Sequence, residues 1–320
     1  MCLACCCSRW LLALSGTSVS SIRSTGTPAS TETIPGSIRL HGKVAGLGLD
    51  HELEELIMLF RDVGKDVIAI PQPSHAWLSG QLLRAWGNGI FAPVVPYEEV
   101  CLGAELHDIG WLSWEAAPTL NPQTARPHSF QELGAAIHTS LWTEGVRRAL
   151  AFGRYPALLV SLHADTIYGS LFNFAKAPPE DAALVRRFLD DQHRFQSACV
   201  EAMTDNPRYA TILSPQAIER NRLLVAAVDR MSLQIGWGLT SEACIPNVPT
   251  IGEARTEIRL HSLSGDPAEL VVDPWPFAAD HVEVVCEGRL LRGRFTDERA
   301  MRQALDSAET VTIPTVLRHP

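Results

Sequence analysis

Several apolar segments of this chain each carry an isolated histidine or aspartate, and this feature most limits what the chain can fold into. The segments include "CLGAELHDIGW", "LGAAIHTSLW", "ALLVSLHADTIY" and "LLVAAVDRMSLQI". Burying an imidazole or a carboxylate without a partner costs several kcal/mol. A fold that buries these segments must therefore also supply partners for their ionisable side chains.

The composition of the whole chain excludes several classes of protein. Of its 320 residues, 46% are hydrophobic and 20% are charged, which excludes a disordered, collagen-like or coiled-coil protein. The formal charge of −9 argues against a nucleic-acid groove as the main functional site. No run of 18 apolar residues occurs, so we predict a cytoplasmic protein without a membrane partner.

The first 57 residues differ in composition from the rest of the chain. They hold four of the eight cysteines, all within the first seven positions, and the other four are scattered singly. Such spacing indicates neither a disulfide framework nor a zinc finger. The apolar stretch Trp10–Leu14 is shorter than a signal peptide needs. We interpret residues 1–57 as a disordered extension or a misassigned start before Met58, with a membrane-anchored cysteine cluster as the alternative.

Beyond Met58 the sequence patterns predict a helical domain. The segment "DVIAI" predicts a strand over 66–70. Helices are predicted over 74–86, 97–111, 130–152, 156–174, 180–203 and 215–236, with a loop over 113–128. Ser129 and Glu132 form the pattern of a capping box for the third helix, while Ser214 and Pro215 suit the start of the sixth.

After Cys244 the pattern changes to alternating apolar and polar residues, which is typical of strands. A short helix over 297–307 and a last strand over 310–317 complete the chain. The predicted fold class is therefore mainly α, with a helical bundle over 58–240 and a small β-rich C-terminal subdomain over 241–320.

A metal ion would give all the isolated ionisable residues a partner at once. In chain order these residues are His75, His107, Asp108, His138, His163 and Asp229. They come from different predicted helices, and bundles build metal sites from side chains on facing helices. The side chains of adjacent helical residues point about 100° apart. His107 and Asp108 can therefore reach a site from two directions, with the histidine binding one ion and the aspartate bridging it to a second.

The order His…His-Asp…His…His…Asp resembles the HD metalloenzyme superfamily in its six-ligand, dinuclear form. More narrowly, "IPQPSHAWLSGQLLRAWG", "EVCLGAELHDIGWLSWE" and "LLVSLHADTIYG" resemble the bacterial domain-of-unknown-function family 3891. The resemblance covers about 60–318 and implies an HD-type helical bundle. It implies two divalent transition metal ions, with iron, manganese, zinc and nickel left open. By this resemblance His75, His107 and Asp229 bind one ion, His138 and His163 bind the other, and Asp108 bridges them.

The sequence also departs from the functional classes of that superfamily. Its phosphohydrolases often place a lysine three residues after the aspartate, where this chain has Trp111. The paired-histidine and Gly-Tyr-Pro signature of cyclic-di-GMP phosphodiesterases is absent after His138. Trp111 also weakens the transfer to the di-iron oxygenases that use the same ligand pattern.

Residues near the predicted ligands are candidates for binding a small-molecule substrate, including an anionic one. They are Trp111, Trp114, Glu115, Arg126, Arg222 and Arg230. His128 and His193 are interpreted as surface residues, and Asp165 as a cap or salt-bridge partner.

We expect a metal-dependent hydrolase, with His107 and Asp108 as catalytic residues acting on a phosphoester. A di-iron oxygenase and a non-catalytic metal-binding module are the alternatives. The oligomeric state stays open.

Overall fold

A computed structural model describes residues 58–130, 132–170 and 172–320. The interpretation of residues 1–57 lies outside these described residues. Among the residues described, no helix combines the length and the apolar character needed to cross a membrane.

A seven-stranded sheet forms one layer of the fold. Its strands are β1 (Leu59–Val63), β2 (Asp66–Ile70), β5 (Glu242–Pro249), β6 (Arg255–Leu263), β7 (Asp266–Asp273), β8 (His281–Leu291) and β9 (Thr310–Arg318). The spatial order is β1-β2-β8-β9-β7-β6-β5. Neighbouring strands are antiparallel except β7 and β9, which run parallel. Two short strands, β3 (Leu120–Asn121) and β4 (Arg126–Pro127), form a separate hairpin.

Helices form the second layer. They are α1 (Gln72–Ala85), α2 (Tyr97–Leu106), α3 (Leu112–Glu115), α4 (Ala135–Leu150), α5 (Arg154–Ser170), α6 (Pro179–Thr204), α7 (Pro215–Trp237) and α8 (Glu298–Asp306), with a 3₁₀ helix at Ile109–Trp111. Helices α1 and α7 pack on the sheet. Helix α2 packs against both of them, and α5 packs against α2 and α7. The main apolar core joins both layers, because it contains Leu78 and Val228 from helices together with Ile258 and Val284 from strands.

The prediction of a mainly α, HD-type bundle with a small β-rich appendage is wrong. Of the residues that the structure describes, 47% are helical and 23% lie in strands, and the large curled sheet is a half-barrel. The appendage does not exist as such, because strand β2 near the start of the described chain pairs with β8 near its end. The alternating pattern revealed the late strands. It could not show that Leu59–Val63 is a strand of the same sheet, since pairing between distant segments leaves no local signal.

Most predicted helices are confirmed, and several of their boundaries are corrected. Ser214 accepts a hydrogen bond from the Ala217 N–H and caps α7 as predicted. The second predicted helix ends at Leu106 rather than 111, and the predicted loop over 113–128 contains α3 and the β3–β4 hairpin. The Ser129 N–H donates to Glu132 Oε2 at 2.8 Å, yet α4 begins only at Ala135.

Candidate metal centre

Histidine 75 enters the site from the first turn of α1, where it is 1% exposed. Its Nδ1 lies 2.9 Å from the Ser232 hydroxyl oxygen, and that hydroxyl donates to the Asp229 carbonyl at 2.7 Å. A hydroxyl has one hydrogen, so the network assigns the donated hydrogen to His75 Nδ1. This leaves the lone pair of a neutral His75 ring on Nε2, which lies 2.8 Å from Asp108 Oδ2.

Histidine 107 is held in the same way at the end of α2. Its Nδ1–H donates to the Ala104 carbonyl at 2.7 Å, and a carbonyl can only accept. The lone pair of the neutral ring is therefore on Nε2, which is buried without a hydrogen bond. Nε2 lies 3.3 Å from Asp229 Oδ1 and 3.4 Å from Asp108 Oδ2. Three acceptors thus face one another, and a cation between them would resolve the conflict.

The spacing of these atoms suits the ligands of one ion. Ligand atoms of His75, His107 and Asp229 all lie within 4.8 Å of one another. Neighbouring ligands about 2.1 Å from one ion are roughly 3 Å apart, close to the distances around His107 Nε2. Backbone carbonyl and hydroxyl partners on Nδ1 are also what metal-binding histidines use to fix their tautomer. His75, His107 and Asp229 are the three residues that the sequence analysis assigned to one ion.

The electrostatics of the site favour positive charge. Burial alone would raise the pKa of Asp229, but its contacts with His107 and His163 lower it well below the usual range. The pKa of Asp108 is also lowered, against burial, by His107 and His75. Burial opposes charge on His107 too, yet the two carboxylates raise its pKa well above the usual value. The two carboxylates therefore favour a positive charge at this point, either as a proton on His107 or as a metal ion between the ligand atoms.

The remaining predicted ligands lie beside this group. His163 Nε2 is 3.4 Å from Asp229 Oδ2, and its Nδ1 is buried without a hydrogen bond. His138 Nδ1 is 2.7 Å from the Tyr168 hydroxyl oxygen. Burial lowers the pKa of His138 to about 4, so its ring is neutral. His138 is outside the group that lies within 4.8 Å, and its binding to a second ion stays a prediction.

Comparison with known proteins gives a family without a described activity. Residues 58–293 match the family described as "Protein of unknown function (DUF3891)". The chain belongs to the DUF3891 family. All six predicted ligands fall within the matched region of the sequence. No curated protein matches the chain, and neither does any solved structure.

In this DUF3891 protein the segment after Asp108 packs against His138 and the first turn of α1. The Trp111 ring lies 5.6 Å from His138 and 6.2 Å from Trp114, measured between ring centroids, and both tryptophans are buried. Glu115 Oε1 accepts the Gln72 N–H at 2.6 Å. Burial raises the pKa of the Glu115 carboxyl to about 8, and the charge of Asp108 adds to this.

The three predicted basic residues have other partners or none near the centre. Arg126 Nη2 donates to the Lys65 carbonyl at 3.0 Å, in the turn between β1 and β2. Arg222 donates to Thr166 Oγ1 at 2.7 Å and pairs with Glu219. In the part of the chain that the structure describes, Arg230 has no hydrogen bond or ion pair to the cluster. Their role in binding an anionic substrate is therefore not supported by direct contacts.

Other predictions about polar residues can be compared with the structure directly. Asp165 forms an ion pair with His193 at 2.8 Å, which confirms the interpretation of Asp165 as a salt-bridge partner. Sequence reasoning missed Ser79, Tyr168 and Ser232. Ser232 is buried, and it accepts a hydrogen bond from the Ser79 hydroxyl at 2.9 Å as well as holding His75. Its signal was a serine three residues after Asp229, within the mostly apolar stretch "LLVAAVDRMSLQI".

Proposed function

We propose that this DUF3891 protein is a metal-dependent hydrolase that uses the ligand order of the HD superfamily on a different fold, with a divalent ion held by His75, His107, Asp108 and Asp229. The observation that carries the proposal is the environment of His107 Nε2. This buried acceptor faces two carboxylate oxygens at 3.3 and 3.4 Å and has no hydrogen bond. Imidazole and carboxylate donors suit zinc, iron, manganese or nickel.

A divalent ion bound there would polarise a substrate oxygen and lower the pKa of a bound water. The chain's own residues have separate tasks. Ala104 and Ser232 hold the tautomers of His107 and His75, so that both Nε2 atoms face the centre. Glu115 holds a proton near neutral pH, because burial raises its pKa to about 8.

The proposal extends to a second ion, which His163 and His138 would hold, with Asp108 as a ligand that the two ions would share. His163 supports this extension, because it contacts Asp229 and keeps a buried Nδ1 without a partner. The Trp142 ring lies against both histidines, with centroids 5.6 Å from His163 and 6.2 Å from His138. The two candidate ligands thus border one region, beside the first group.

A phosphoester is the proposed substrate class, since two divalent ions would dominate the local field despite the acidic chain. Trp111, whose ring borders His138, would form part of the wall of the substrate site. We propose a small molecule rather than a nucleic acid as the partner, on the basis of the −9 formal charge.

Metal content and turnover test this proposal together. The purified full chain should contain one to two equivalents of transition metal and hydrolyse a generic phosphodiester such as bis-p-nitrophenyl phosphate. The His107→Ala and Asp108→Asn variants should lose both properties, while His281→Ala at the exposed start of β8 should keep them. Iron with a mixed-valence EPR signal and O₂ uptake would instead support the oxygenase. Less than one metal per chain, with unchanged thermal stability in the His107→Ala variant, would end the metal hypothesis.

A further inference from the structure

The segment that follows the His107–Asp108 pair is attached to α1 at both of its ends. At its start, Asp108 Oδ2 lies 2.8 Å from His75 Nε2. At its end, Glu115 Oε1 accepts the Gln72 N–H at 2.6 Å. Gln72 and His75 are three residues apart, so both contacts fall on the first turn of α1. The two contacts together fix that turn against the segment 108–115.

The first turn of α1 has no capping side chain of its own. Its N-cap residue is Pro71, which makes no side-chain hydrogen bond. Pro73 lacks an N–H, while the N–H groups of Ser74 and His75 donate to the Pro71 carbonyl at 2.9 and 3.3 Å. The Gln72 N–H is the remaining donor of the turn, and helix termini need partners for such groups. Glu115 therefore accepts a free N–H of the helix start, as an N-cap side chain would, although it lies 43 positions away in the sequence.

We propose that Glu115 is a positioning residue of the metal centre, because its bond to the Gln72 N–H sets the first turn of α1, and with it His75, against Asp108. The inference rests on the proposed metal site. From the sequence, Glu115 was expected to contact the substrate. The positioning role proposed here is different, because it acts through the backbone of α1. Neither Gln72 nor Glu115 is itself one of the proposed ligands.

In this role the length of the Glu115 side chain matters more than the charge of its carboxyl group. The oxygen of a glutamine amide can accept the same N–H, whereas an aspartate carboxylate ends one methylene short of it. Glu115 is half-buried as a residue, but protein atoms surround its carboxyl group, and the pKa of about 8 keeps much of it neutral at pH 7. The Glu115→Gln variant keeps the length of the side chain but has no ionisable group. The Glu115→Asp variant keeps a carboxyl group but is too short to accept the Gln72 N–H.

The test is a titration of the full-length, metal-stripped protein with Co²⁺, followed by visible absorption, which reports the ligand geometry. Glu115→Gln should bind Co²⁺ within about threefold of the wild-type affinity. Glu115→Asp and Glu115→Ala should bind about tenfold or more weakly, as with other residues that orient metal ligands.

Asp297→Ala is the matched control. Asp297 Oδ1 accepts the Ala300 N–H at 2.8 Å and caps α8, a helix without proposed ligands. Removing this cap should lower the Tm by about 2–4 °C and leave the Co²⁺ affinity unchanged.

Either of two results would contradict the inference about Glu115 without contradicting the proposed metal site. One is wild-type affinity in both Glu115→Asp and Glu115→Ala, and the other is a Glu115→Gln affinity as weak as that of Glu115→Ala. If Glu115→Ala does not fold, the Gln and Asp variants still give the comparison. Failure of the wild-type protein to bind Co²⁺ is a distinct result, because it overturns the proposed function and this inference with it.

Discussion

His107 Nε2 lies 3.3 Å from Asp229 Oδ1, while the opposite ring nitrogen donates its hydrogen to the Ala104 carbonyl. A neutral His107 ring therefore directs a lone pair at a carboxylate. The arrangement is stable only with a proton or a metal ion between the two groups, since buried acceptors repel one another.

Adding a transition metal should therefore stabilise the metal-stripped protein. A ligand at 100 times its Kd adds about 2.7 kcal/mol to the free energy of unfolding. For a chain of this size we expect a rise in Tm of about 5–10 °C on adding Zn²⁺ or Co²⁺. Differential scanning fluorimetry with and without EDTA measures the shift. His107→Ala should abolish it and His281→Ala should not. An equal shift in wild type and His107→Ala would place the binding elsewhere.

Ser232 should matter for metal affinity without being a ligand. It accepts the His75 Nδ1–H and thereby keeps Nε2 directed at the centre. Ser232→Ala should weaken Zn²⁺ or Co²⁺ binding by about 10- to 100-fold, because the partner that fixes the tautomer is lost. Competition with a chromophoric chelator measures the affinity. Ser197→Ala, on the exposed side of α6, is the control. An unchanged affinity in Ser232→Ala would show that the hydroxyl does not set the tautomer.

The sequence predicted the members of the centre better than the fold around it. His75, His107 and Asp229 were assigned to one ion through a resemblance, and the structure brings their ligand atoms within 4.8 Å of one another. Isolated ionisable residues in apolar helices are visible locally, because burial of each one requires a partner.

The sheet could not be predicted in the same way, because its defining contacts join distant parts of the chain. The pairing of Ile68 with Leu290 spans most of the described sequence. The alternation in β8 is clear along the strand, but it does not say which strand lies beside it. For the same reason the bond between Gln72 and Glu115 had no signal in either local segment.

Burial of the Glu115 carboxyl gives a prediction for the pH dependence of stability. Its pKa in the folded protein is about 8, raised from an ordinary value of 4.5. The folded state thus binds more protons than the unfolded state between these values, and this group makes stability fall as pH rises from 4.5 to 8. Glu115→Gln removes that contribution. In EDTA, the Tm of Glu115→Gln relative to wild type should therefore increase steadily from pH 5 to pH 8. A difference that stays constant over this range would contradict the raised pKa.

Gly110 places the His107–Asp108 segment directly against α4, the helix of His138. A Cβ at position 110 would lie 2.0 Å from the Leu141 carbonyl oxygen and 2.9 Å from the Gly145 nitrogen. Both neighbours are backbone atoms, so no side chain can rotate to make room. Overpacking usually costs about 1–3 kcal/mol, and we expect Gly110→Ala to lose about 3 kcal/mol or more because the helix itself must move. Urea denaturation measures the loss.

Gly89→Ala is the control, since a Cβ there meets nothing within 4 Å, and it should change stability by less than about 1 kcal/mol. Because Asp108 is two residues from Gly110, the Gly110→Ala variant should also bind Co²⁺ more weakly. Wild-type stability and affinity in this variant would show that the segment and α4 can separate without cost.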